Sequence, residues 1–405
     1  MPKPRSTTIP SPISTREYAA RRQTLAKQLG DAAAIVLAGD GSRASVHFRY
    51  LTGLGDEHGG AVLFDPSHED PKRRIVLILR AQNPEVDQWD GFRPAVSMQL
   101  KADTGFDTIV RVTQLPAFLL AAARRTKKLA CLHPLANHEA PVSADLVLFR
   151  KVAERVPGCS IIDRSDALRG LRSIKSAAEI ALLRRAVEIT AAGYDAALRT
   201  LKPGAGEKAV QRAIERAYEE QGGQGTGYDS IVGSGHNGTV LHYHANSGPT
   251  TSGDLLVIDS GAVFQGYTAD ITRAFPVSGK FTREQAKLYD VVLESQLASI
   301  AACRPGATMS AVGWAARRVI EEAGYGDYYP HGIGHHLGME VHDLDADAPL
   351  KPGMVVTIEP GVYLPASKIG VRIEDDVLIT AKGREVLSPM IPKTISEIEK
   401  AMARR

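Results

Sequence analysis

The chain has 405 residues, with 49 Lys and Arg against 46 Asp and Glu, for a net charge of +3. That balance excludes nucleic acid or an anionic membrane as the main partner, and 43% hydrophobic with 23% charged residues is ordinary globular composition. The length exceeds one ordinary core, so two to three domains are expected, and no run approaches the roughly 18 apolar residues of a membrane span.

The opening stretch, MPKPRSTTIPSPIS, is Pro- and Ser-rich without an apolar core, unlike a signal peptide. Ser14 and Glu17 then form a capping-box pattern that opens a helix ending near Gly30. AAIVLAGD, GGAVLFDP and RRIVLILR read as strands, so the residues up to about 165 predict an α/β domain. A second capping box, Ser176 and Glu179, opens a long amphipathic helix that stops at a Pro-Gly pair. The domain boundary is expected within 160–175. Cys131, Cys159 and Cys303 are odd in number, far apart and in no CxxC pattern, which fits a reducing, cytoplasmic setting rather than a disulfide framework.

The second part of the chain repeats itself. LKPGAGEKAVQRAIERAYEEQG (201–222) aligns without gaps on CRPGATMSAVGWAARRVIEEAG (303–324), with ten of 22 positions identical at an offset of 102. Convergent Ala- and Glu-rich composition is the alternative, but the caps match at both ends, and each copy follows another helix, 176–200 and 282–302. Two similar α/β halves about a pseudo-two-fold axis are expected.

Acidic residues follow the same scheme. After the first copy, GDLLVIDSGAVFQGYTADITRAFPVSG predicts a hairpin turning near Gln265-Gly266, with Asp259 and Asp270 on its two strands. After the second, PGMVVTIEPGVYLPASKIGVRIEDDVLIT predicts two strands bearing Glu359 and Glu374. Taken singly, each acid reads as a solvent-facing strand residue. Four of them at repeat-related positions would converge between the halves, where they cannot all stay ionised without cations. A pair of divalent ions answers this, and hard oxygen donors with one imidazole suit manganese, with zinc, cobalt or iron as alternatives.

Two other motifs lead nowhere. IVGSGHNG holds a literal GxGxxG (Gly233, Gly235, Gly238), but the TVLHYHANSG that follows is turn-like and offers no helix N-terminus to a pyrophosphate. In PHGIGHHLGMEVHD, His331 and His335 stand four apart, yet Gly332 and Gly334 break the helix that a zinc pair would need. There is no GxSxG elbow and no cysteine in a nucleophile's setting, and an oxidoreductase built on the GxGxxG falls with the missing helix.

Together, YDSIVGSGHNGTVLHY, DITRAFPVSGKFT, HGIGHHLGMEVHD, IEPGVY and GVRIEDD resemble the segments of the pita-bread metallopeptidases, the family of methionine aminopeptidase, aminopeptidase P and prolidase. HFRYLTGLGDEHGGAVLF and DQWDGFRP resemble the N-terminal domain of the aminopeptidase P branch, so the likeness spans nearly the whole chain. It implies an α+β protein: a creatinase-like α/β domain over 1–165, for oligomerisation or to cover the active site, then a pseudo-two-fold, methionine-aminopeptidase-like pita-bread domain over 166–405. It also implies metal ligation by Asp259, Asp270, His335, Glu359 and Glu374, with His335 rather than His336 as the imidazole. All five positions carry the expected residue types, which disfavours a ligand-less binding module on the same fold.

The resemblance further implies two divalent metal ions, manganese first with zinc or cobalt as alternatives, sharing a hydroxide that attacks the bond before proline. Substrates would be peptides with proline second, and a prolidase confined to dipeptides is the alternative. Glu359 is the candidate general base, His242 and His342 lie near the substrate carbonyl and the proline, and His331 and Tyr228 line the pocket. Arg372 precedes Glu374 by two and so faces the same way on a strand, where it could orient a carboxylate. His336 reads as packing, and His244 has no assigned role. A homodimer or homotetramer is expected, without nucleic-acid or membrane partners.

Overall fold

The computed structural model describes residues 13–39, 44–133, 141–343 and 348–404, so all but the end of the Pro- and Ser-rich opening stretch lies outside it. The chain divides into two compact units, Met1–Arg172 and Ser173–Arg405. No helix among the described residues is long and apolar enough to cross a membrane.

The first unit is built on a mixed sheet of β1 (Ala33–Leu37), β2 (Ala61–Phe64), β3 (Ile75–Leu79), β4 (Thr108–Arg111), β5 (Lys128–Cys131) and β6 (Ser160–Asp163), in the order β4-β3-β2-β1-β5-β6. β1, β2 and β3 are the three strands expected from the apolar runs. They pair antiparallel in a meander, and β4, β5 and β6 add parallel pairings on either side. Ile35, Leu63, Ile78, Leu129 and Phe149 meet in one apolar core. Ser14 accepts the Glu17 amide at the start of the helix Thr15–Leu29, and Gly30, at φ 62°, ends it. The division at Arg172 falls inside the 160–175 range expected for the boundary, seven residues past the 165 taken as the end of the first domain, because the helix Ser165–Ser173 goes with the first unit through Arg172. Tyr50 Oη donates to Leu171 O at 3.1 Å, and Arg172 Nη1 meets His47 Nδ1 at 3.2 Å, which tie that helix down.

The second unit contains two halves of like construction. Helix Ala177–Thr200, opened by a complete Ser176–Glu179 capping box, packs on helix Glu207–Glu220. Helix Arg283–Ala302 packs in the same way on helix Met309–Glu322. The bounds of the two shorter helices, 207 and 220 against 309 and 322, differ by the repeat offset itself.

After the first helix pair come β7 (Ile231–Ser234), β8 (Leu255–Asp259), β9 (Val263–Phe264), β10 (Tyr267–Thr268) and β11 (Thr272–Pro276). After the second come β12 (Val355–Ile358), β13 (Gly361–Leu364), β14 (Ile369–Arg372), β15 (Asp375–Thr380) and β16 (Gly383–Val386). In each half a small hairpin, β9–β10 or β13–β14, sits in sequence between the strands of a larger antiparallel pair, β8–β11 or β12–β15. The first small hairpin turns at Gln265 and Gly266 as expected, with φ 48° and 82°, the positive pair that a tight two-residue turn requires.

Gly193 marks the closest approach of the first helix pair. A Cβ there would lie 2.3 Å from Tyr218 Cε1 and 3.1 Å from Ile214 Cγ2, and Tyr218 is fixed by its 2.9 Å hydrogen bond to Ser260 Oγ. Gly193→Ala gains about 1 kcal/mol of helix propensity, but overpacking a core of this kind costs about 1–3 kcal/mol. The expected net result is a lower urea midpoint, and a raised midpoint would show that the ring yields.

Candidate metal centre

The four acids stand at strand ends. Asp259 is the last residue of β8, Glu359 directly follows β12, Asp270 lies between β10 and β11, and Glu374 lies between β14 and β15. Asp270, Glu359 and Glu374 were expected within strands. The hairpin ladders lapse at Asp270 and Glu374 because their backbone N–H groups are used elsewhere: Glu374 donates to Thr272 O at 3.0 Å, and Asp270 donates to Asp376 Oδ2 at 3.3 Å. Thr272 and Asp376 are each two residues past an acid, so each half holds the second acid of the other.

His335 joins them from the glycine-rich segment. Its amide donates to Thr357 Oγ1 at 3.0 Å, its carbonyl accepts from the Thr357 amide at 2.8 Å, and the Glu359 amide donates to Ile333 O at 2.8 Å. These bonds align the segment on β12 and aim His335 Nε2 at Asp270 Oδ2 (3.3 Å) and Glu359 Oε1 (3.6 Å). Ligand atoms of Asp270, His335 and Glu374 all lie within 4.8 Å of one another.

Around this group every acid has a partner. Arg372 Nη2 donates to Asp259 Oδ2 at 2.6 Å, and Nε donates to Thr272 Oγ1 at 3.1 Å; Thr272 in turn donates to Glu374 Oε2 at 2.7 Å. Arg372 therefore orients Asp259 directly and Glu374 through a hydroxyl. Tyr228 Oη lies 2.6 Å from Asp259 Oδ1 and 2.5 Å from Asp270 Oδ1, so it bridges two acids as well as lining the site.

Strand alternation builds a support behind the site. Thr272 and Glu374 meet on the side of the acids, and their neighbours Arg273 and Asp375 meet on the opposite side at 2.7 Å, both fully buried. Asp375 also accepts from Ser388 Oγ (2.6 Å), Gln296 Nε2 (2.9 Å) and Lys393 Nζ (2.6 Å). Burial would raise this carboxyl, but the charges of Arg273 and Lys393 bring it down to about 2. Arg273 Nη1 donates to the carbonyls of both Thr272 and Glu374, which locks the backbone under the acids.

The remaining histidines divide by environment. His342 is exposed and meets the His335 ring edge-on, with centroids 4.2 Å apart. His331 Nε2 contacts Tyr363 Oη at 2.9 Å, and that hydroxyl accepts from Arg372 Nη1 at 2.9 Å. Burial, with Arg372 and His242 nearby, lowers the His331 pKa to about 4. His242 is exposed and stacks on His244, with centroids 6.0 Å apart. His336 is buried, and its Nδ1 has no hydrogen-bond partner among the described residues. Burial and the charge of Lys175 keep it neutral, with a pKa of about 4.

The charge balance tests whether metal ions fit. Burial and neighbouring acids push Glu374 well above the usual carboxylate range; burial, reinforced by Asp270 against Arg372, raises Asp259. Burial raises Glu359 to about 7, with Asp270 and Asp259 adding to it and His335 and Arg372 opposing. For His335, burial favours the neutral ring, yet Asp270 and Glu359 hold its pKa at about 9. One phenol proton on Tyr228 cannot serve two carboxylates, so one of its contacts needs further positive charge or an acid proton. Divalent cations would supply the missing charge, and the donor set of carboxylates and one imidazole fits them. Asp259, Asp270, His335, Glu359 and Glu374 are the side chains placed to hold them.

Comparison with known proteins identifies the family. Residues 181–381 match the model of metallopeptidase family M24, and residues 18–130 match the aminopeptidase P N-terminal domain. The chain is 32% identical to the Xaa-Pro aminopeptidase of Escherichia coli K12, over 97% of this chain and 98% of that protein. This chain belongs to metallopeptidase family M24. Among other M24-type relatives, proline aminopeptidase P II from Yersinia pestis superposes with a TM-score of 0.86 at 30% identity, covering 97% of this chain and 100% of that one. The Xaa-Pro dipeptidase of Pyrococcus furiosus is 39% identical, over 55% of this chain and 65% of its own length.

Sequence reasoning missed several residues of this M24 site. Thr272, Arg273 and Tyr363 had no assigned role, although Thr272 lies two residues past Asp270 and Tyr363 four past Glu359. Alternation from the known acids would have placed both on the side of the site. Thr272→Val keeps the shape but removes the donor to Glu374 and the acceptor for Arg372. It is expected to weaken metal binding about 10- to 100-fold, as measured by competition with a fluorescent chelator. Unchanged affinity would mean that Glu374 is oriented by other contacts.

Proposed function

We propose that the chain is an Xaa-Pro aminopeptidase, a metal-dependent exopeptidase that hydrolyses the bond between an N-terminal residue and a following proline. The observation that carries this reading is the convergence of Asp259, Asp270, His335, Glu359 and Glu374 in a unit of M24 type, preceded by an aminopeptidase P N-terminal domain.

When bound, two divalent ions supply Lewis-acid polarisation and an activated water at neutral pH. Manganese suits the oxygen-rich donors, with zinc or cobalt as alternatives; a zinc-substituted aminopeptidase P from E. coli is among the similar structures. Glu359 is the proton carrier. Its side chain is 20% exposed, against 12% for Asp259 and 7% for Asp270, so it reaches both water and substrate. It takes the proton of the attacking water and returns it to the departing proline nitrogen. His242 and His342, both exposed, donate to the carbonyl oxygen as charge develops there. His331 and Tyr363 form an aromatic wall for the proline ring, and Tyr228 lines the pocket beside Asp259. The X-Pro amide has no N–H, so recognition through that group is unavailable and a shaped pocket takes its place.

A dipeptidase is the second reading, favoured by the Pyrococcus relative, but that likeness covers only about half of this chain. The free cysteines support a reducing, cytoplasmic setting. Exposed Trp89, Phe92 and Met98 in the first unit support a homodimer or homotetramer.

Assayed with added manganese, a Xaa-Pro-containing tripeptide is expected to be cleaved after its first residue. Cleavage of Gly-Pro alone would make the enzyme a dipeptidase. Glu359→Gln is expected to lower kcat by roughly 10²- to 10⁴-fold. Full activity in His335→Ala would sink the assignment of that ring as a ligand.

A further inference from the structure

Segment 235–250, which carries His242 and His244, contains only one short 3-10 turn, Gly235–Thr239. One carboxylate organises it. Glu207, the first residue of helix Glu207–Glu220, is fully buried. Its Oε1 accepts from the Ser234 amide at 2.7 Å and Asn237 Nδ2 at 2.9 Å. Its Oε2 accepts from the Gly248 amide at 2.6 Å and Tyr243 Oη at 2.9 Å. The Glu207 amide returns a bond to Gly248 O at 3.0 Å. Donors from the start, middle and end of the segment thus converge on a single side chain.

The fit is tight. A Cβ on Gly248 would lie 3.0 Å from both Glu207 oxygens and 2.6 Å from Asn237 Nδ2. Gly233 and Gly238, the outer residues of the GxGxxG, pass so closely that a Cβ on Gly238 would lie 2.8 Å from Gly233 O. The motif that mimics a dinucleotide fingerprint therefore packs the turn that Glu207 clamps. Helix formation does not require Glu207: in the repeat its position (207 plus 102) is Met309, which also begins a helix. The carboxylate belongs to the loop.

We propose that Glu207 is a positioning residue for hydrolysis, clamping segment 234–248 so that His242 meets the substrate carbonyl. This rests on the role given to His242 above. Tyr243, held by its hydroxyl, is the next residue in the chain, so releasing it frees the backbone that aims His242. Only an acceptor-only group satisfies four donors here, because the amide of a glutamine would point its own N–H at one pair of them.

The test is a double-mutant cycle on the metal-loaded full chain, with Glu207→Gln, His242→Ala and the double variant assayed on a Xaa-Pro tripeptide. Glu207→Gln is expected to lower kcat by about 10²-fold, the scale of an ångström of misplacement, with KM and metal content unchanged. The double variant is expected to be no slower than His242→Ala alone. Losses that multiply, or a wild-type kcat in Glu207→Gln beside an impaired His242→Ala, overturn the clamp and leave the function standing. A wild-type kcat in His242→Ala overturns the role of His242, and the clamp with it. If Glu207→Gln yields no folded protein, Tyr243→Phe decides. A kcat loss of about two- to tenfold, masked by His242→Ala, supports the clamp, and a wild-type kcat overturns it.

Discussion

Repulsion among carboxylates that share a space with little water is the constraint on which the second unit depends. Asp259, Asp270 and Glu374 are all buried, and such a group persists only if positive charge is brought to it. The chain provides Arg372 on Asp259 and His335 beside Asp270 and Glu359. Metal ions would meet the remaining demand, and the fold serves to gather the acids that create it. Two halves that each supply two acids place the excess charge where neither half could keep it alone.

The sheet ends show how this is done. Adjacent residues on a strand face opposite ways, so Thr272–Arg273 and Glu374–Asp375 divide their work between front and back. In front, a hydroxyl steadies a metal-type acid; behind, a closed ion pair with Lys393 welds the strands together. Buried ion pairs of this kind add little net stability over apolar packing. Their value here lies in geometry, since Arg273 also binds the carbonyls of Thr272 and Glu374.

The helices, the repeat and the acid pairs were legible in the sequence because each rests on local spacing or on one fixed offset. Ser176 with Glu179, and helices at 207–220 and 309–322, follow from caps and periodicity. Which distant side chains pair with one another was not legible. Arg372 meets Asp259 across 113 positions, and Tyr228 meets Asp270 across 42, with no periodicity to join them. The lapse of the strands at Asp270 and Glu374 was hidden for the same reason, because the acceptors of their amides lie in the other half. Glu207 had no assigned role in the sequence, and only the fold brings Ser234, Asn237, Tyr243 and Gly248 to it.

The central claim is that this cluster of acids requires cations, and calorimetric titration of the metal-stripped chain with manganese tests it most directly. Run in buffers of different ionisation enthalpy, the titration counts both ions bound and protons released. The expected result is two ions per chain, with protons released as His335 and the raised carboxyls yield to the metal. No binding, or binding without proton release, would contradict it.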